Sequence, residues 1–274
     1  VAPPQDGERR LYESLALLLE PARPQLERLI QSHEAQAATR LEGGRRLIAE
    51  LLLDVAACRR SVEARAEPEQ EAIRELHEAV RQREQRCVEA LLRLYAFRPE
   101  DAAAADLPLA GGRWGDDLFN PETLKQLGVK IGGGLAAGAA AGAGVDLLVG
   151  GLTLGAAALL GALAGGGAQT ARHYGNRILG KLRGERELSV DDAVLRLLAL
   201  RQRQLLAALA ARGHAAQQAI RLDTPQERSW REDRLPEPLH KARAHPEWSS
   251  LNPGRRREQP ERQEQIRALA AELG

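Results

Sequence analysis

The 274-residue sequence contains no methionine, only two cysteines and few aromatic residues, which make up 3% of the chain. Isoleucine and valine together number 17. Because strands are built from β-branched and aromatic residues, this composition argues against an extended sheet. Cys58 and Cys87 have no second cysteine pair beside them, which excludes a disulfide scaffold and a zinc ribbon and suits a reducing cytoplasm.

The sequence also has almost no excess of either charge. Its 39 Lys and Arg residues and 38 Asp and Glu residues leave a net charge of +1. This balance argues against chain-wide electrostatic binding of nucleic acid. The polar first ten residues contain no secretory signal, and together with the missing initiator methionine they predict a fragment of a longer polypeptide.

Helix-forming residues are abundant by contrast. The chain has 47 alanines and 45 leucines, about a third of all residues, and both rank among the strongest helix formers. The sequence therefore predicts an all-α fold: a long antiparallel helical hairpin, a Gly/Ala-rich hairpin and C-terminal helices.

Composition shifts and helix boundaries divide the chain into six predicted parts. These are a closing helix of a missing upstream domain (1–20), the long hairpin (21–98), a linker (99–115), a hydrophobic hairpin with basic flanks (116–183), an amphipathic helix (184–222) and a Pro-rich polar region with short helices (223–274).

The long hairpin is predicted from two apolar stripes with three- and four-residue steps. The first stripe follows Pro24 and the second follows Pro68, and proline is well tolerated in a first helical turn. Gly43 and Gly44 interrupt the first stripe and predict a kink. Further helix starts are predicted at Asn120, followed by proline, and at Ser189, which begins a sequence similar to a capping box.

The most unusual segment runs from Ile131 to Ala168. Its 38 residues include 13 glycines and a single ionisable side chain, Asp146. Glycines four residues apart share one helix face and allow two helices to pack closely, as in membrane helices. The predicted glycine zipper comprises Gly134, Gly138, Gly142, Gly151, Gly155, Gly161 and Gly165.

The second arm of this hairpin, Leu147 to Ala168, is long enough to cross a bilayer, about 33 Å as a helix. Asp146 marks the predicted turn. Basic residues precede the first arm and follow the second, which predicts that both ends stay in the cytoplasm. They are Lys125, Lys130, Arg172, Arg177, Lys181 and Arg183. The alternative is a hairpin buried inside a soluble helical domain.

No motif in the sequence specifies an enzyme. The phosphate-loop pattern G-x-x-x-x-G-K-[ST] is absent. His240 and His245 lie near Trp248, and we interpret them as part of a surface helix end capped by a packed tryptophan rather than as metal ligands. The basic cluster at 255–257 is interpreted as a solvated loop. No catalytic residue, cofactor site or metal site is predicted for this chain.

Three runs of the sequence resemble the C-terminal region of a bacterial family that carries an Era-like GTPase domain at its N-terminus. These are GDDLFNPETLKQLGVK (115–130), ELSVDDAVLRLLAL (187–200) and AHPEWSSLN (244–252). In that family the C-terminal region is a domain of unknown function. The resemblance implies that RLYESLALLL (10–19) ends the GTPase domain, and it implies GTP and Mg²⁺ only for that missing domain.

These observations lead to two functional hypotheses. The first is a non-catalytic effector region of a bacterial GTPase that engages the inner membrane through the glycine-zipper hairpin. The second is a wholly soluble helical module for protein–protein interaction, with the glycine hairpin in its core. The predicted partners are the upstream GTPase domain, inner-membrane lipid and a protein partner; nucleic acid is not among them.

Overall fold

The computed structural model describes residues 6–63, 65–97, 107–120, 122–123, 145–148, 185–212, 230, 235–253 and 259–274. The helices are α1 (Asp6–Leu18), α2 (Arg23–Ala57), α3 (Ala66–Leu94), α4 (Asp192–Arg212), α5 (Glu237–Ala244) and α6 (Pro260–Glu272). The strands are β1 (Arg60–Glu63), β2 (Val145–Leu148) and β3 (Glu185–Val190). Helices dominate these residues, which confirms the all-α class.

The two longest helices, α2 and α3, pack against each other in antiparallel directions. Arg83 of α3 contacts Asp54 of α2, and further along α3 the Cys87 thiol lies 3.7 Å from the carbonyl oxygen of Leu47. The contacts therefore move backward along α2 as they move forward along α3. Their apolar stripes meet in the core, to which α4 also contributes buried leucines.

α2 continues as a helix through Gly43 and Gly44, where the sequence predicted a kink. The two glycines have different surroundings. A Cβ on Gly44 would lie 2.4 Å from Cδ1 of Leu206 in α4, whereas a Cβ on Gly43 would lie at an ordinary 3.5 Å from Cδ2 of Leu94. Gly44 therefore allows α2 and α4 to approach closely.

This difference predicts opposite effects of alanine at neighbouring positions. Gly43→Ala is expected to raise the free energy of unfolding by about 0.5–1 kcal/mol, because alanine is the better helix former. Gly44→Ala is expected to lower it by about 1–2 kcal/mol, because Leu206 is buried and has little room to move away. Urea denaturation followed by circular dichroism measures both. Stabilisation by both variants would contradict the close approach at Gly44.

The described residues also contain a small antiparallel sheet, in the order β1-β3-β2, whereas the composition argued only against an extended one. Arg60 in β1 pairs with Leu188 in β3, and Val145 in β2 pairs with Val190. The strands are only four to six residues long, so they need few β-branched residues. Their hydrogen bonds come from segments distant in sequence, and composition does not report such pairing.

The two predicted helix starts have different outcomes. The Asn120 side chain accepts a hydrogen bond from the backbone N–H of Glu122 at 3.0 Å, which is the predicted N-cap geometry. The cap predicted at Ser189 is wrong, because Ser189 lies within β3. Asp191 caps α4 instead, accepting a hydrogen bond from the backbone N–H of Ala193 at 2.7 Å.

Candidate functional site

A buried carboxylate, Asp54, joins three parts of the fold. Its side chain is 1% exposed. Oδ2 accepts a hydrogen bond from Nε of Arg83 at 2.8 Å, and Oδ1 accepts one from Nη2 of Arg262 in α6 at 3.1 Å. Ser250 adds its backbone N–H and its hydroxyl. Burial alone would raise the pKa of Asp54, but Arg83, Ser250 and Arg262 together hold it below its usual value.

Residues 245–252, HPEWSSLN, bind the C-terminal end of α2. The Ser249 hydroxyl donates to the carbonyl oxygen of Asp54 at 2.7 Å. The Asn252 amide donates to the carbonyl oxygen of Ala57 at 3.2 Å and accepts from the backbone N–H of Arg59 at 2.9 Å. These bonds satisfy groups that the end of a helix leaves unpaired. Residues 245–252 therefore hold the C-terminal region on the helical hairpin.

Of the two histidines near Trp248, His245 packs on the tryptophan. Trp248 is buried, as predicted, and its indole N–H donates to Oε1 of Gln259. The His245 ring stacks on Trp248 with 4.2 Å between ring centroids, and its Nδ1 lies 2.8 Å from Glu247. In the part of the chain that the structure describes, no group of three or more His, Cys, Asp or Glu residues is placed to hold a metal ion.

A second buried polar cluster lies between α3 and α4. Oε1 of Glu84 accepts a hydrogen bond from Nε2 of Gln202 at 3.3 Å and lies 3.8 Å from Nη1 of Arg201. All three side chains are buried. Burial raises the pKa of Glu84 to about 7, although Arg201 and Gln202 act in the opposite direction. This carboxyl group therefore titrates near neutral pH.

Arg201 extends this cluster to residues 107–120. Its Nη2 donates to the carbonyl oxygen of Asp116 at 2.9 Å, and its guanidinium carbon lies 5.3 Å from the centroid of the Trp114 ring. Leu107 and Leu109 are buried. The C-terminal half of the predicted linker, residues 107–115, is thus packed against the helical body.

The residues just before the glycine-rich segment are held on α3. Arg81 donates two hydrogen bonds to the Asp117 carboxylate, at 3.0 and 2.9 Å. The Phe119 ring stacks on His77 with 3.7 Å between ring centroids. Asn120 caps the turn that follows, so the described chain is held on the body up to a point eleven residues before the glycine-rich segment.

The predicted glycine zipper falls outside the described residues. Its members are Gly134, Gly138, Gly142, Gly151, Gly155, Gly161 and Gly165. The predicted basic flanks lie outside them too: Lys125, Lys130, Arg172, Arg177, Lys181 and Arg183. None of the described helices is long and apolar enough to cross a membrane.

Asp146, the predicted turn of the hairpin, lies among the described residues. It lies in β2, opposite Ser189 of β3, and not in a turn between two helices. The prediction of a helical turn at Asp146 is therefore wrong, and the predicted second arm is shortened because Leu147 and Leu148 also belong to β2. Pairing with β3 satisfies the backbone of these residues, and a local glycine pattern does not indicate such a partner.

The sequence did not predict the Asp54 and Glu84 clusters. An indication existed for the first, because Asp54 is the only charged residue in the apolar run from Leu51 to Cys58. A buried charge requires a partner, but the sequence does not specify which arginine supplies it. Glu84 lies in a run rich in Arg and Glu, and nothing local distinguishes it from the neighbouring charged residues.

Helix α1 and the N-terminal half of α2 form an arm that extends from the core. The rings of Tyr12 and His33 meet edge to face at 5.9 Å, which shows that the two helices run in opposite directions. Leu17 and Leu18, near the turn between them, are 76% and 79% exposed. Isolated exposed leucines are common, but adjacent leucines with this exposure form an apolar surface at the end of the arm.

The described residues thus define a helical body organised by two buried polar clusters. In a comparison with known protein families, residues 1–271 match the model of the family described as a domain of unknown function, DUF3482. The chain belongs to this family. Comparisons with curated proteins and with solved structures found no match.

Proposed function

We propose that this chain is the non-catalytic effector region of a bacterial Era-like GTPase and that it engages the inner membrane through its glycine-rich segment. The sequence support is the stretch from Ile131 to Ala168, which has one ionisable side chain in 38 residues. GTP and Mg²⁺ would bind only to the upstream GTPase domain. Its nucleotide state would alter how the helical body presents the segment, as in other GTPase switches.

The observation that carries this proposal is that described residues on both sides of the segment pair with the same helix, α3. Asp117, before the segment, pairs with Arg81 of α3, and Arg186, after it, pairs with Glu69 of α3. Positions 69 and 81 are about 18 Å apart along a helix. A segment with both ends on one body would enter and leave a bilayer from the same side, and basic flanks at both ends favour that arrangement.

The position of β2 refines the proposal. Because residues 145–148 pair with β3, the residues available to the membrane are 131–144 and 149–168, on either side of that strand. The first stretch contains few large apolar side chains, so close packing at its glycines would be needed to stabilise it in lipid. Gly134, Gly138 and Gly142 would share one face of a helix there.

This proposal predicts a specific effect of leucine at position 138. Gly138→Leu adds apolar surface but would separate the packed backbones, so we expect weaker association with liposomes of bacterial lipids than for the wild type. Gly138→Ala should be much milder. Co-flotation measures the association, and circular dichroism verifies that helix content is unchanged.

Two outcomes would count against this proposal. Stronger flotation of Gly138→Leu would mean that hydrophobicity, and not close packing, governs association. No flotation of the wild type would end the membrane proposal.

A soluble protein–protein interaction module is the second candidate function. The exposed leucines at the end of the α1–α2 arm favour it, because they offer an apolar contact away from the glycine-rich segment. In this case the wild type would stay out of the floating fraction, and the glycine-rich segment would pack in the interior of the body.

A further inference from the structure

We propose that Glu84 is a proton-controlled switch that determines how firmly residues 114–117 are held against α4. The proposal concerns the helical body, so it does not depend on membrane engagement. It rests on the arrangement of a buried carboxyl group, an amide and a guanidinium group where α3, α4 and residues 107–120 meet.

The Arg201 guanidinium group has two competing sets of partners. On one side it holds residues 114–117, through the 2.9 Å hydrogen bond to the Asp116 carbonyl oxygen and through its contact with the Trp114 ring. On the other side Nη1 lies 3.8 Å from Glu84 Oε1, which is too far for a hydrogen bond. Nη1 is buried and has no hydrogen-bond partner among the described residues. In this structure Arg201 is therefore bonded to residues 114–117 and not hydrogen-bonded to Glu84.

This arrangement suits a neutral Glu84. Within the part of the chain that the structure describes, Oε1 of Gln202 is buried without a hydrogen-bond partner, while Nε2 of Gln202 lies 3.3 Å from Oε1 of Glu84. The oxygen and nitrogen of an amide can exchange places by a simple rotation. A protonated Glu84 would then donate its O–H to Gln202 Oε1, and Arg201 would remain on Asp116 and Trp114.

Ionisation of Glu84 removes this donor and creates a buried negative charge. A charge-assisted bond to Arg201 would need about 2.8 Å in place of 3.8 Å. Closing that distance draws the guanidinium group away from the Asp116 carbonyl oxygen. Each protonation state of Glu84 therefore favours a different position of Arg201, and only the neutral state leaves residues 114–117 fully held.

The charged groups around Glu84 come from three elements. Arg201 of α4 is the cation that favours ionisation, and Asp117 from residues 107–120 opposes it. On α3 itself, Arg81 is paired with Asp117 and Arg83 with Asp54. Burial outweighs Arg201, and the pKa of Glu84 rises from 4.5 to about 7.

The direction of the pH effect follows from this rise. In the closed arrangement Arg201 holds residues 114–117, and in the open arrangement it has released them. Because the pKa of Glu84 is raised in the closed arrangement, low pH favours that arrangement, and this advantage is lost as the pH rises from 4.5 through 7. If Glu84 has its ordinary pKa in the open arrangement, the opening equilibrium should increase about tenfold between pH 6 and pH 8. Residues 114–119 lead directly to the Asn120 cap, so the switch would act on the chain that precedes the glycine-rich segment.

Amide hydrogen exchange at pH 6 and pH 8, corrected for intrinsic rates, tests the switch in the full chain. Protection of residues 107–120 in the wild type should fall about tenfold between the two pH values. Glu84→Gln cannot ionise, so its protection should change less than about twofold. Glu78→Gln, at an exposed position on α3, should behave like the wild type. Equal pH dependence in the wild type and Glu84→Gln would overturn the proposal.

A measurement on the wild type alone does not require that the variant folds. Helix α6, far along the chain from the cluster, serves as an internal reference. The switch predicts that residues 107–120 lose protection while α6 does not. Parallel loss in both regions would indicate general destabilisation and would overturn the proposal.

Discussion

Replacement of Asp54 by alanine is expected to lower the free energy of unfolding by about 3–5 kcal/mol. The substitution would leave the guanidinium groups of Arg83 and Arg262 without their shared carboxylate, and the Arg262 side chain is 1% exposed. An uncompensated buried charge destabilises far more than the intact pair stabilises. Chemical denaturation of the wild type and the variant measures the difference.

Asp117→Ala is a matched control, because Asp117 also pairs with an arginine at 2.9 Å but is 46% exposed. Water and salt screen such a pair, so this change should lower the free energy of unfolding by at most about 1 kcal/mol. Similar losses for Asp54→Ala and Asp117→Ala would contradict the assigned role of burial. Because the pKa of Asp54 is lowered, its stabilising contribution should be complete above pH 3.8 and fade as the pH falls further.

Leu51→Asp is expected to be at least as damaging, with a loss of more than about 4 kcal/mol. Leu51 has 0% exposure in the core between the helices. An aspartate at this position would bury an unpaired charge and would also remove apolar contacts. Thermal denaturation followed by circular dichroism should show a strongly lowered melting temperature or no folded baseline.

Glu67→Gln provides the comparison for Leu51→Asp. Glu67 is exposed in the first turn of α3, where a negative charge interacts favourably with the helix dipole. Loss of that interaction should lower stability by a few tenths of a kcal/mol. Comparable thermal shifts in the two variants would show that the assigned core face is wrong.

The helical hairpin was predictable because its evidence is local. Pro24 and Pro68 mark helix starts, and apolar residues recur at helical spacing along both segments. The role of Gly44 was not predictable, since two adjacent glycines equally indicate a weak point in a helix. Only the position of Leu206 in α4 distinguishes Gly44 from Gly43.

The small sheet and the polar clusters depend on partners that are distant in the chain. β2 is a four-residue strand in a glycine-rich context, and its hydrogen bonds come from β3, about forty residues later. Asp54 binds Arg262 across 208 positions, and Glu84 binds Gln202 across 118. Many arginines and glutamines were equally available in the sequence, so the pairing could not be inferred from it.

By itself, the sequence determined the helical class, the two long helices and the absence of a phosphate-binding loop, because composition, periodicity and short motifs depend on neighbouring residues. The tertiary structure decided that Asp146 lies in a strand, that residues 107–115 pack on the body, and that Asp54 and Glu84 are buried. These features require groups far apart in sequence to meet. Because an unpaired charge or hydrogen-bonding group destabilises the fold when it is buried, the stable fold is one in which each such group meets a partner.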